Sequence, residues 1–148
     1  MIDISILNDY NKNISFNSSS IETIIKKILS KYNISDASIS IILSNKTLLN
    51  KLKKDYFNLN HFTDVIAFNL EEKGEPLDGE VYISIDDVSE NSKEYRVDFN
   101  DEFKRVIIHG VLHLIGFEDN TKKAKKEMTT LENSYMTLIT EKLIYFNK

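Results

Sequence analysis

Residues 109–119 read HGVLHLIGFED and lie in the most apolar helical stretch of the chain. On a helix, His109 and His113 are four residues apart and share one face, so both imidazoles can reach one metal ion. Gly116 allows the left-handed backbone that ends a helix, and the chain can then turn back. Glu118 or Asp119 would complete a three-ligand site with one open position, which is the arrangement of a catalytic metal centre.

Two features favour a metal site over a chance pair of core histidines. The chain has three histidines, and two of them stand here among apolar neighbours, where burying imidazole needs a reason. Gly110 falls inside the predicted helix, where glycine costs about 1 kcal/mol relative to alanine, so we expect another segment to approach the backbone there. A zinc peptidase would carry glutamate directly after the first histidine, and Gly110 in that place argues against one.

Composition limits the classes that remain. A chain of 148 residues suits one domain, and the absence of cysteine excludes disulfides and thiolate metal ligands. We find no secretory signal and no apolar run long enough for a membrane span, and we expect a soluble, cytoplasmic protein. The net charge of −4 gives no general attraction to nucleic acid, so RNA binding must be local. Two lysine groups are candidates, although each alone is typical of a solvated helix face: Lys51, Lys53 and Lys54, then Lys122, Lys123, Lys125 and Lys126.

Periodicity predicts an α+β fold, a small four-stranded mixed sheet covered by helices. The order is strand, helix, strand, helix, then a hairpin of two strands followed by helices, with no internal repeat. Phe57 to Phe62 should form a loop. The predicted strands are 2–6, 38–44, 63–70 and 80–85, and the predicted helices are 19–32, one beginning after Asn45, 89–95, 100–115 and 121–145.

Three stretches resemble the YbeY family of bacterial rRNA maturation factors, in the same order and at the same spacing. The family signature HGxLHLxGxDH matches residues 109–119, a stretch similar to TDVLSF matches 63–68, and one similar to GDIxIS matches 79–84. The matched position of the family's third histidine is Asp119, which would make the ligand set His109, His113 and Asp119. Two imidazoles and a carboxylate are still a known zinc set, less positive by one charge. Glu118 then becomes a group near the metal and not a ligand.

The resemblance implies a metal-dependent, single-strand-specific endoribonuclease that acts in 16S rRNA 3′-end maturation and ribosome quality control. It implies Zn²⁺ or another divalent transition metal such as Ni²⁺, with single-stranded RNA, rRNA and the small ribosomal subunit as partners. Asp64 and Glu80 lie in the family-like stretches and are candidate catalytic acids, although each could be an ordinary strand-end carboxylate. A family arginine falls on Phe57, and His61 is a candidate replacement for it. A ribosome assembly factor with little nuclease activity, or a hydrolase of another phosphoester, are the alternatives.

Overall fold

The described part of the chain forms a four-stranded sheet, a two-stranded sheet and five helices. The computed structural model describes residues 1–11, 13–57 and 64–146. In chain order the elements are β1 (Ile2–Asn8), β2 (Ile14–Phe16), α1 (Ser18–Lys31), β3 (Ala37–Ser44), α2 (Lys46–Phe57), β4 (Val65–Asn69), β5 (Leu77–Ser84), α3 (Ile85–Glu94), α4 (Phe99–Leu114), α5 (Lys122–Met136) and β6 (Ile144–Phe146).

The main sheet has the strand order β1-β3-β5-β4. β1, β3 and β5 are parallel, whereas β4 and β5 are antiparallel neighbours in the chain, as the predicted hairpin requires. Alternate residues of β3 point into the core, and Ile39, Ile41 and Leu43 are almost completely buried. The predicted α+β class and the four-stranded mixed sheet are therefore confirmed.

Helix α4 lies directly against β4 and β5 at Gly110. A Cβ added to this glycine would stand 2.6 Å from Val81 Cγ1, closer than packed Cβ atoms approach, and 3.1 Å from Val65 Cγ2, which is a tight contact. The close approach that the sequence predicted at Gly110 is confirmed. It fixes the height of α4 above the sheet, and the neighbouring His109 lines a cavity together with Val65.

The predicted last helix is too long. α5 ends at Met136, and the following residues form a connection to β6, which pairs antiparallel with β2. The ammonium group of Lys104 is buried and donates to the carbonyl oxygens of Met136 and Ile139. The side-chain oxygen of Asn100 accepts from the backbone N–H of Leu143 and Ile144, and its amide donates to the Ile144 carbonyl. Both contacts come from α4, so tertiary hydrogen bonds replace those that a longer helix would make.

The predicted starts of β5 and α3 differ from the observed ones by a few residues. β5 begins at Leu77 and not at residue 80, and α3 begins at Ile85 and not at residue 89. Phe57 is the last residue of α2, while the rest of the predicted loop and Thr63 lie outside the described residues. Among the described helices, none is both long enough and apolar enough to cross a bilayer.

We predict that Gly110→Ala destabilises the protein. Overpacking against Val81 and Val65 costs about 1–3 kcal/mol, and the higher helix propensity of alanine returns up to about 1 kcal/mol, so we expect a net loss of about 1 kcal/mol or more. Urea unfolding of Gly110→Ala in the original and in a Val81→Ala background measures this. In the second background the added methyl should be neutral or stabilising. An equal loss in both backgrounds would contradict the packing explanation.

Candidate metal centre

Helix α4 places two imidazoles on its partly exposed face. The rings of His109 and His113 are 4.5 Å apart, and their Nε2 atoms are 2.9 Å apart. Most other residues in this part of α4 are buried, including Ile108, Val111 and Leu112. The two histidines therefore share a direction because the helix has a single side that does not pack against the protein.

The turn after α4 brings a carboxylate to the same place. Gly116 has φ 110°, and its N–H donates to the His113 carbonyl at 3.1 Å, while the Phe117 N–H donates to the Leu112 carbonyl at 3.0 Å. This pair of bonds is a Schellman motif, which ends the helix and reverses the chain. As a result Asp119 Oδ2 lies 3.3 Å from His109 Nε2 and 3.6 Å from His113 Nε2.

The geometry of these three side chains fits a metal ion. One donor atom from each of His109, His113 and Asp119 lies within 4.8 Å of the other two. Nitrogen and oxygen ligands about 2.0–2.2 Å from a tetrahedral zinc ion are about 3.3–3.6 Å apart, which matches both distances to Asp119 and slightly exceeds the 2.9 Å between the nitrogens. Of the two acids left open by the sequence, the structure brings Asp119 to the histidines.

Glu132 is a part of this site that sequence reasoning missed. Its Oε2 is 2.6 Å from His109 Nδ1, and its Oε1 accepts from Arg105 Nη1 at 2.9 Å. A carboxylate only accepts hydrogen bonds, so Nδ1 carries the proton and the lone pair of His109 lies on Nε2, toward Asp119. A second carboxylate behind a histidine ligand is a common means of orienting the ring and raising its basicity. In the sequence Glu132 is one of three acids in the predicted last helix, with Glu127 and Glu141, and nothing there marks it.

The two imidazoles differ in their electrostatic surroundings. Burial alone would lower the pKa of His109, but the hydrogen bond and charge of Glu132 outweigh it, so that the pKa is raised. Burial and the neighbouring charge of His109 lower the pKa of His113. Of the two rings, His113 is thus the more readily neutral, the form in which imidazole binds a metal.

The other predicted site residues are Asp64, Glu80 and His61, and the structure brings one of them, Asp64, close to His109. Asp64 lies in the same region as His109, accepts from Asn91 Nδ2 at 3.1 Å, and has its pKa raised mainly by burial. Glu80 alternates along β5 with Gly79 and Val81, which face α4, so its side chain points to the opposite face of the sheet and does not meet the histidines. His61 lies outside the described residues.

A cavity of about 350 Å³ adjoins His109. Its walls come from β4, α3, α4 and α5, and it includes Asp64, His109, Arg105 and Glu132. Arg105 is one turn before His109 on α4. The site is therefore a recess with a guanidinium in its wall.

Of the two predicted lysine groups, one is fully exposed and the other contains a buried lysine. Lys51 and Lys54 are exposed, but Lys53 is buried, and desolvation lowers its pKa although the charges of Asp87 and Asp64 oppose the shift. The second group follows Asp119 directly, at the beginning of α5, and all four of its members are exposed: Lys122, Lys123, Lys125 and Lys126. Of the two groups, the second remains intact as a surface cluster.

Comparison with known proteins identifies the family of this chain. A family model described as Endoribonuclease YbeY matches residues 6–140. The chain belongs to the endoribonuclease YbeY family. The prediction that it is an enzyme, a hydrolytic endoribonuclease, is confirmed by this membership.

Individual relatives agree with the family match. The chain is 37% identical over 112 residues to the endoribonuclease YbeY of Amoebophilus asiaticus, covering 76% of each. It is 42% identical over 101 residues to that of Chloroherpeton thalassium, covering 68% of this chain and 71% of the other. The solution structure of TM1509 from Thermotoga maritima matches with TM-score 0.58 and 30% identity, over 90% of this chain and 86% of the other.

We predict that Glu132→Gln weakens zinc binding about tenfold. The amide can still accept from His109 Nδ1, but it has no charge to raise the basicity of the ring, and loss of such a partner costs 10–100-fold in affinity. Competition with a chromophoric chelator measures the effect. Glu127→Gln, on an exposed position of α5, is the matched control and should bind zinc like the original chain. Equal affinity of the Glu132→Gln and Glu127→Gln variants would contradict the role given to Glu132.

Proposed function

We propose that this protein is a metal-dependent endoribonuclease that cleaves single-stranded RNA, and that it acts in 16S rRNA 3′-end maturation and ribosome quality control. Residues 1–148 would form a single catalytic domain that works in the cytoplasm, with rRNA and the small ribosomal subunit as partners. The observation that carries the proposal is the convergence of His109, His113 and Asp119 beside an open recess, in a chain that belongs to the endoribonuclease YbeY family.

His109, His113 and Asp119 would hold the metal, with zinc as the first candidate and nickel as the second. These donors are two nitrogens and one carboxylate oxygen, a set that zinc hydrolases use. When bound, such an ion is a Lewis acid that polarises a phosphoryl oxygen and lowers the pKa of water. Glu132 would hold the His109 ring with its Nε2 lone pair toward Asp119.

Other residues of the recess would handle the proton and the phosphate. Asp64 is the proposed proton acceptor, because burial raises its pKa toward the range in which a carboxylate is an effective base. Arg105 lines the same cavity and is the proposed contact for phosphate, which would replace the family arginine that is missing at Phe57. Within the described part of the chain, Glu132 and Asn133 accept two of its five N–H groups.

The substrate would be guided by local charge. The overall charge of −4 repels polyanions at a distance, so attraction must come from a small basic surface. The four exposed lysines of α5 begin three residues after Asp119 and supply such a surface. Weak, salt-dependent binding of single strands is the behaviour we expect.

The direct test uses purified protein, zinc, and labelled single-stranded and duplex RNA of the same sequence. We predict cleavage of the single strand that stops with chelator and returns with zinc, and a drop of more than about tenfold in rate for Asp119→Asn. Glu127→Gln is the control, because Glu127 is exposed and belongs neither to the metal group nor to the cavity wall, and the rate of this variant should stay close to the original.

Two outcomes would contradict the proposal. Cleavage unchanged by chelation would exclude the metal mechanism, and zinc binding without RNA cleavage would favour an assembly factor. Precursor small subunits with an unprocessed 16S 3′ end test the biological role, since the protein should shorten that end and the Asp119→Asn variant should not. Faster hydrolysis of small phosphodiesters than of RNA would point to another phosphoester as substrate.

A further inference from the structure

The wall of the cavity beside His109 has more hydrogen-bond acceptors than donors. Asp64, Asp87 and Glu102 all line it, and Glu102 makes no side-chain hydrogen bond with any described residue. Asp64 accepts a hydrogen bond from the Asn91 side chain. Carboxylates that lose water without gaining donors are costly, so this wall is suited to a ligand that brings N–H groups.

Asp87 gives an independent indication of such a ligand. Its residue is 8% exposed, and its Oδ2 is a buried atom without a hydrogen-bond partner among the described residues. The other oxygen, Oδ1, is 3.5 Å from Lys46 Nζ, and the buried Lys53 is near enough for the charge of Asp87 to act on its pKa. Because Oδ2 itself is fully buried, Asp87 contributes negative charge to this wall and does not contact a ligand directly.

The remaining wall offers a cation and an aromatic ring. Arg105 keeps unused N–H groups after its bonds to Glu132 and Asn133. Tyr95 lines the cavity and is 61% exposed, so its ring is free at the surface. An aromatic side chain and polar groups around a recess of this size are what a protein needs to receive one unstacked base of a single strand.

We propose that this cavity binds one nucleobase next to the cleaved phosphate and that it prefers guanine. This inference rests on the proposed function, because it takes single-stranded RNA as the substrate. The Watson–Crick edge of guanine presents two adjacent N–H donors, N1–H and the 2-amino group, and a carboxylate can accept both. Its O6 acceptor would take one free N–H of Arg105, and the phosphate would take another. Uracil presents two carbonyl oxygens around a single N–H, and these oxygens would face carboxylates.

The energetic state of the wall agrees with this assignment. Burial raises the pKa of Glu102, and the nearby charge of Asp64 raises it further. The acids therefore oppose each other's ionisation when no donor lies between them. A neutral base that donates two hydrogen bonds relieves this repulsion without bringing a phosphate into the acidic part of the cavity, and it leaves the phosphate on the side of His109.

The test is binding of free nucleosides to the chelator-treated full chain, followed by amide NMR shifts. Guanosine should bind about tenfold tighter than uridine, and inosine, which lacks the 2-amino group, should lie between them. Glu102→Gln should reduce the ratio of guanosine to uridine affinity to near one. Glu94→Gln, on an exposed position of α3 outside the cavity wall, is the matched control and should keep the ratio.

A second variant covers the case in which Glu102→Gln unfolds. Tyr95→Ala changes an exposed ring, and it should weaken guanosine and inosine binding several-fold while the melting temperature stays the same. Equal binding of guanosine and uridine would overturn the inference. It would also be overturned if spermine, and not guanosine, shifted the amide signals of the cavity, because the cavity would then be a polyamine site.

The inference and the proposed function can fail separately. Guanosine preference in a protein that does not cleave RNA would leave the base site standing and remove the nuclease role. Metal-dependent cleavage with no nucleoside preference would support the nuclease role and remove the base site. If both hold, an oligouridylate with one guanosine should be cut mainly beside that guanosine.

Discussion

The contact between the backbone of α4 at Gly110 and the valines of β4 and β5 is the constraint on which the other features depend. Val65 and Val81 occupy the space that a side chain on Gly110 would need. This contact fixes the distance and the rotation of α4 relative to the sheet, and so it fixes where the helix face that carries His109 and His113 lies. α4 also contacts α1, α3 and α5, so its rotation is fixed from several directions.

Two half-buried imidazoles need hydrogen-bond partners that fix which ring nitrogen carries the proton. Glu132 does this for His109, and Arg105 in turn compensates the charge of Glu132. The chain thus forms a line of alternating charge, guanidinium, carboxylate and imidazole, between two neighbouring helices. Such a network limits the freedom of the His109 ring before any ligand arrives, which is the condition for a well-defined site.

The sequence predicted the parts of this arrangement that depend on local spacing. The i, i+4 histidines, the close approach at Gly110 and the stop at Gly116 are all readable along one helix. The role of Glu132 could not be predicted in this way, because it depends on how α5 packs against α4 and not on its neighbours in the chain. The same reason explains the end of α5, since Leu138 and Leu143 continue a helical pattern that the bonds from Lys104 and Asn100 override. Glu80 lies in a family-like stretch, yet strand alternation turns it away from the histidines.

The most direct measurement is a crystal structure of the zinc-loaded protein with anomalous diffraction data at the zinc edge. The account predicts one anomalous peak bonded to Nε2 of His109, Nε2 of His113 and a carboxylate oxygen of Asp119, at about 2.0–2.2 Å. Glu132 should remain on His109 Nδ1. A peak bonded to Glu118 in place of Asp119, or no peak between the two imidazoles, would contradict it.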